Sequence, residues 1–143
     1  ACWPLADATV LDIFAGTGAL GLEALSRGAK QAVFIDDNAT SIATVNHNLE
    51  TLEAAERAIV LLRDATQPGP SVASATLVFL DPPYRSELAE KALTALVKTG
   101  WLNPGALAMV ETEEKELIIP PRKFTLVEKR NCGNAKLWFL RYF

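Results

Sequence analysis

Cysteine and histidine are nearly absent from this sequence of 143 residues, which contains two cysteines, Cys2 and Cys132, and one histidine, His47. Two cysteines so far apart cannot build the bridged framework of a small secreted domain, and they lack the spacing of zinc ligands. No apolar run approaches the roughly 20 residues of a membrane-spanning helix, and no signal-peptide pattern is visible. We therefore expect no metal site, no membrane segment and a reducing, cytoplasmic location.

Positive charge is scarce over most of the chain. The net charge of −3 does not by itself indicate a nucleic-acid partner. Residues 1–114 carry 7 Lys and Arg against 15 Asp and Glu, whereas residues 115–143 carry 7 against 2. Two interpretations of this basic end stay open: an electrostatic footprint for a polyanion, or the solvated face of two strands.

Strand and helix patterns alternate in a chain that is 50% hydrophobic and 22% charged, as expected of one folded domain over residues 1–143. Strands are predicted at residues 10–14, 31–35, 58–62, 76–80 and 106–110, and helices at 19–27, after Asn38 and after Ser86. A turn is predicted at residues 103–105, and a hairpin of strands 124–130 and 136–142 around a turn at 131–134. The early strands are continuous apolar runs, typical of parallel strands covered on both faces. We predict a Rossmann-like, doubly wound α/β sheet, mostly parallel, with a C-terminal antiparallel hairpin.

A glycine-rich turn, Gly16-x-Gly18-x-x-Gly21, follows the first predicted strand and opens a helix. Glycines let the backbone approach a ligand closely, and a helix N-terminus offers free N–H groups. Asp36 ends the second strand, where a carboxylate can accept hydrogen bonds from both ribose hydroxyls of a nucleoside. Asp64 follows the third strand and can accept from an adenine amino group. Together these residues predict a site for an adenosine-containing cofactor.

The glycine pattern alone does not separate NAD from S-adenosylmethionine. Asp12 precedes the turn in the pattern Asp12-x-Phe14-x-Gly16. An acidic side chain at that strand end favours a cationic ligand and repels a pyrophosphate. We therefore count Asp12 and Phe14 among the candidate cofactor-binding residues, with the alternative that Asp12 only hydrogen-bonds the glycine turn.

The most specific motif is Asp81-Pro82-Pro83-Tyr84, directly after the fourth strand. Two successive prolines fix the backbone and remove two N–H donors, which leaves carbonyls free to accept. The nitrogen of an exocyclic amine on a base is a poor nucleophile, and the Asp81 carboxylate and Pro82 carbonyl can accept its two hydrogens. Tyr84 offers a face on which an extruded base can stack. We predict that these four residues are catalytic; in the alternative, they only end a strand.

These motifs make the chain recognisable. DIFAGTGALG at residues 12–21, Asp36 and DPPY at residues 81–84 resemble the class I S-adenosylmethionine-dependent methyltransferases. More closely, the chain resembles the bacterial 16S ribosomal RNA guanine-N2 methyltransferases of the RsmD type, which share GLEALSRGA at residues 21–29 and GNAKL at residues 133–137. The resemblance covers essentially the whole chain and implies the class I methyltransferase fold.

The resemblance also implies the chemistry. It implies S-adenosyl-L-methionine as the cofactor and methylation of a guanine amine in 16S rRNA, free or in the assembling small ribosomal subunit. No metal is needed, because the sulfonium carries its own leaving group, and we expect a monomer. The predicted cofactor-binding residues are Asp12, Phe14, Gly16, Gly18, Asp36 and Asp64. Relatives carry an N-terminal stretch with basic residues, so we expect this chain to be truncated. The alternatives are a DNA adenine-N6 or cytosine-N4 methyltransferase and a non-catalytic nucleotide-binding module.

Overall fold

The computed structural model describes residues 5–83 and 86–143. Within those ranges the strands are β1 (Thr9–Ile13), β2 (Gln31–Asp36), β3 (Ala58–Leu62), β4 (Ala75–Leu80), β5 (Leu102–Glu113), β6 (Phe124–Cys132) and β7 (Ala135–Tyr142). The helices are α1 (Ala19–Ser26), α2 (Ala39–Thr51) and α3 (Ser86–Lys98), with a short 3-10 turn at Ala55–Arg57. Asn38 caps α2 as predicted, because its side chain accepts a hydrogen bond from the Ser41 N–H at 3.0 Å.

All seven strands form one sheet in the order β3-β2-β1-β4-β5-β7-β6. The first five are parallel neighbours, and β7 lies antiparallel between β5 and β6. The predicted doubly wound sheet with a C-terminal hairpin is confirmed. The strand order reverses between β1 and β4, which is where such sheets bind ligands, outside the carboxyl ends of the strands.

Alternate side chains of the inner strands enter two separate cores. On one face Leu11, Val33 and Val78 pack with α3. On the other face the neighbouring positions, including Phe34 and Phe79, pack with α1 and α2. Because both faces are covered, the inner strands need apolar residues at every position, which explains their continuous apolar runs.

One predicted turn is wrong, and another is confirmed only in part. The turn at residues 103–105 instead belongs to β5, in an irregular stretch where Ala75 pairs with Leu102 but Leu77 pairs with Leu107. Extra residues on one strand bulge outward without ending the pairing. The hairpin turn is also shorter than predicted, because pairing continues to Cys132 and Ala135 and leaves a two-residue loop.

Gly21 sets how closely α1 approaches the sheet. A Cβ atom at Gly21 would lie 2.5 Å from Cε2 and 2.8 Å from Cζ of Phe34, whose side chain is fully buried. It would also lie 3.2 Å from Cβ of Asp12. The third glycine of the turn is therefore required by helix–strand packing.

Gly21→Ala tests this packing. In an open position the change would stabilise the helix by about 0.5–1 kcal/mol, whereas overpacking against Phe34 should destabilise the protein by about 1–3 kcal/mol. Urea unfolding measures whether Gly21→Ala raises or lowers the free energy of unfolding. In the double variant with Phe34→Leu, which removes the ring edge, Gly21→Ala should cost clearly less than it does alone. Additive costs would contradict the proposed contact.

Candidate active site

A cavity of about 560 Å³ opens at the carboxyl ends of the central strands. It is lined by Phe14, Gly16, Asp36, Asp37, Asn38, Ala65, Asp81 and Pro83. Its volume lies in the range of small-molecule and cofactor sites, and it lies where the strand order reverses. Three of these residues were not among the predicted site residues: Asp37, Asn38 and Ala65. Asp37 and Asn38 are the two residues after the predicted Asp36, and Ala65 directly follows the predicted Asp64.

The wall of this cavity is a sharp turn held by a carboxylate. Phe14 has a φ of 60° and Gly16 a φ of 58°, so the chain reverses immediately after β1. The Asp36 carboxylate accepts the Gly16 N–H at Oδ2 and the Asn38 N–H at Oδ1, both at 2.9 Å. Each carboxylate oxygen keeps a further lone pair, so Asp36 can also accept from a ligand hydroxyl.

Asp12 lies behind the turn and is only 3% exposed. Its Oδ2 accepts the Gly21 N–H at 3.0 Å, and Asp12 is not among the residues that line the cavity. Burial raises the pKa of the Asp12 carboxyl from 3.8 to about 7, against the opposing effect of the Gly21 hydrogen bond. The negative charges of Asp81 and Asp36 raise it further. Three carboxyl groups from three strand ends therefore interact electrostatically.

Gly18 and Asp64 also lie outside the cavity lining. Gly18 begins α1 with a φ of 80°, and a Cβ there would lie 3.1 Å from Val45 Cγ2, so its backbone packs against α2. Asp64 is exposed, and its Oδ1 accepts from both the backbone N–H and the hydroxyl of Thr66 at 2.8 Å. The next residue, Ala65, takes the place in the lining.

A second cavity, of about 300 Å³, adjoins the first. It is lined by Asp81, Pro82, Pro83, Glu111, Thr112, Glu113, Glu116, Cys132, Asn134 and Ala135. Asp81 and Pro83 line both cavities, so the predicted catalytic motif separates them. Partial burial raises the pKa of the Asp81 carboxyl above its ordinary value. Tyr84, the fourth residue of the motif, lies outside the described residues.

The first cavity is negatively charged. Of its described lining residues three are acidic and none is Lys or Arg. The backbone N–H groups of the glycine turn are already used within the chain: Gly16 donates to Asp36, Gly18 to the Ala15 carbonyl and Gly21 to Asp12. A pyrophosphate would meet carboxylates there, whereas a cationic ligand is favoured.

Residues 5–83 and 86–143 contain no group of three or more His, Cys, Asp or Glu side chains arranged to hold a metal ion. None of the helices described there is long and apolar enough to cross a bilayer.

The basic residues of the hairpin lie on both sides of the sheet. Lys129 and Lys136 lie over the ring of Trp138 at 5.6 and 5.3 Å, and Arg130 lies over Phe139 at 5.3 Å. Trp138 and Phe139 belong to opposite cores. These basic side chains therefore lie on both faces of edge strand β6 and its neighbour. A polyanion footprint at this end stays a prediction.

Known proteins resemble the chain over most of its length. Residues 3–141 match the family described as Conserved hypothetical protein 95. Ribosomal RNA small subunit methyltransferase D of Haemophilus influenzae is 39% identical over 127 residues, which make up 86% of this chain and 66% of that relative. The chain thus spans just under two thirds of the relative's length.

Two solved structures share the fold. A protein from Haemophilus influenzae matches with a TM-score of 0.85 and 35% identity, over 97% of this chain and 89% of that one. An RNA methyltransferase from Salinibacter ruber in complex with S-adenosyl-L-homocysteine matches with a TM-score of 0.77 and 14% identity, over 96% of this chain and 83% of that one. The second likeness is one of fold alone. The architecture is the class I methyltransferase fold.

Asp12→Asn tests the electrostatics of the site. Folded Asp12 holds its proton up to about pH 7, whereas the unfolded chain ionises near 3.8, so the wild-type protein loses stability as the pH rises between these values. Asparagine keeps the acceptor for Gly21 but cannot ionise. From about pH 5 to about pH 8, the stability of the variant relative to wild type should rise by more than about 1.4 kcal/mol, the equivalent of one pKa unit.

Urea unfolding at the two pH values measures this difference. Asp7→Asn is the matched control, because Asp7 is exposed and its φ of 61° is one that asparagine also tolerates. A stability difference for Asp12→Asn that does not change with pH would contradict the buried carboxyl.

Proposed function

Since the chain belongs to the Conserved hypothetical protein 95 family, the family of ribosomal RNA small subunit methyltransferase D, we propose that it transfers a methyl group from S-adenosyl-L-methionine to the N2 amine of a guanine in 16S rRNA. The observation that carries the proposal is the position of the Asp81-Pro82-Pro83 segment. Asp81 and Pro83 line both a cofactor-sized acidic cavity and a second cavity of about 300 Å³. A cofactor bound in the first cavity can therefore contact a base bound in the second cavity.

The first cavity suits the proposed cofactor. When bound, S-adenosylmethionine supplies an electrophilic methyl group on a sulfonium that is its own leaving group, so the transfer itself requires no metal. The three acidic side chains of the lining favour that positive charge. Asp36, oriented by the N–H groups of Gly16 and Asn38, accepts from the ribose hydroxyls. Phe14 lines the cavity, and Asp64, which precedes the lining residue Ala65, is proposed to accept from the adenine amino group.

Asp81 and Pro82 are proposed to prepare the nucleophile in the second cavity. A guanine amine is conjugated with its ring, which makes its nitrogen lone pair unreactive. The Asp81 carboxylate and the Pro82 carbonyl accept its two hydrogens and draw the nitrogen toward tetrahedral geometry, with the lone pair directed at the methyl group. Because Asp81 retains solvent access, it can pass the proton lost after transfer to water. Tyr84 is proposed to stack on the base.

The proposed substrate is rRNA, because the relative is named for small-subunit rRNA. A duplex base is inaccessible to such a site, so the target guanine must be extruded or lie in a loop. The lysines and arginines of β6 and β7 are proposed to bind the RNA backbone. We propose one methyltransferase domain over residues 1–143 that acts as a monomer in the cytoplasm.

Asp81→Ala tests the mechanism. Because the hydrogen bond to the amine strengthens as the nitrogen becomes nucleophilic, losing it should lower single-turnover methyl transfer to rRNA by at least about a hundredfold. Calorimetry should show only a small loss of cofactor affinity, because Asp36 and Asp37 keep the first cavity acidic and the amine belongs to the other substrate. Asp81→Asn keeps an acceptor oxygen and should retain partial activity. A near-wild-type rate for Asp81→Ala would mean that the base is activated elsewhere.

A further inference from the structure

A second carboxylate lies beside Asp81 at the carboxyl ends of the sheet. β4 and β5 are parallel neighbours in which Leu80 pairs with Val110, so Asp81 and Glu111 are the next residues on adjacent strands. Leu80 and Val110 both face the α3 core, and side chains alternate along a strand. Asp81 and Glu111 therefore share the opposite face and both line the second cavity.

The two groups interact. Glu111 is half-buried at the cavity wall, and burial, followed by the negative charge of Asp81, raises the pKa of its carboxyl. Two neighbouring carboxylates repel each other, and N–H donors placed against both of them relieve that repulsion. The second cavity therefore favours a base edge that presents several adjacent donors.

Guanine has such an edge. Three common bases carry an exocyclic amine. In adenine and cytosine the one ring nitrogen beside the amine is an acceptor, whereas the guanine amine lies between the N3 acceptor and the N1–H donor, so that only guanine offers a ring donor next to its amine. If Asp81 and Pro82 accept the two amine hydrogens, the ring nitrogen N1 beside the amine lies against Glu111, the neighbouring carboxylate on the same face. A carboxylate accepts the N1–H of guanine but opposes the lone pair of adenine N1 or cytosine N3.

We infer that Glu111 selects guanine as the target base by accepting a hydrogen bond from its N1–H. The inference rests on the proposed function and assigns base selection to a residue outside the Asp81-Pro82-Pro83-Tyr84 motif. Asp81 and Pro82 recognise the amine, which all three bases have, and Glu111 recognises the ring nitrogen, which distinguishes them. The presence of two carboxylates, Asp81 and Glu111, side by side argues against an adenine or cytosine amine as the substrate.

The test compares rRNA carrying guanine with rRNA carrying 2-aminopurine at the methylated position. 2-Aminopurine keeps the amine at C2, but its N1 is an acceptor. Wild-type protein should prefer guanine by at least about tenfold in kcat/KM, and Glu111→Gln should lower that preference by at least about tenfold, because an amide can donate to N1. 2-Aminopurine also lacks O6, but that loss is common to both proteins and cancels in the comparison.

Two variants control for charge and folding. Glu114→Gln removes the same charge from an exposed residue just beyond β5 and should keep the wild-type preference. Glu111→Asp keeps the carboxylate and should also keep the preference for guanine, with a lower rate of methyl transfer. An unchanged preference in Glu111→Gln, with guanine still methylated, would overturn the role of Glu111 and leave the proposed function standing. A wild-type protein that methylates no guanine in rRNA would overturn both.

Discussion

The hydrogen bond from the Gly16 N–H to the Asp36 carboxylate is the interaction on which the rest of the site depends. It ties the turn after β1 to the end of β2, and the other Asp36 oxygen holds Asn38 at the start of α2. The turn can then place Phe14 and Gly16 in one wall of the cavity. Asp12 anchors the other end of the same turn through Gly21, at the cost of burying a carboxyl group. Asp36, which shapes the turn, also contributes with Asp37 and Asp81 the negative charge of the cavity that suits a cationic cofactor.

Most of the fold could be predicted from the sequence because its signals are local. Continuous apolar runs reveal strands covered on both faces, and Asn38 reveals the start of α2. Residues 81–83 of the motif could be placed at the carboxyl end of β4 because they directly follow an apolar strand. The incorrect turn at residues 103–105 contains Pro104 and Gly105, residue types that are typical of turns but lie here in an irregular stretch of β5.

The details of the site were harder to predict because they depend on competition between partners. Asp64 follows β3 as expected, yet its side chain bonds to nearby Thr66 and Ala65 lines the cavity. Gly18 fits the glycine pattern but serves packing against Val45. Glu111 gains its significance only from the pairing of β4 with β5, which brings residues distant in the chain side by side. Neither strand order nor register can be derived from the spacing of a single sequence.

The central claim is that this protein methylates the N2 amine of a guanine in 16S rRNA. Mass spectrometry of nucleosides from purified 16S rRNA tests it most directly, in a strain that lacks the protein and in the same strain complemented with it. The account predicts that N2-methylguanosine falls by one residue per 16S rRNA molecule in the deletion strain and returns on complementation. An unchanged amount of N2-methylguanosine, or the loss of a methylated adenine or cytosine instead, would contradict the account.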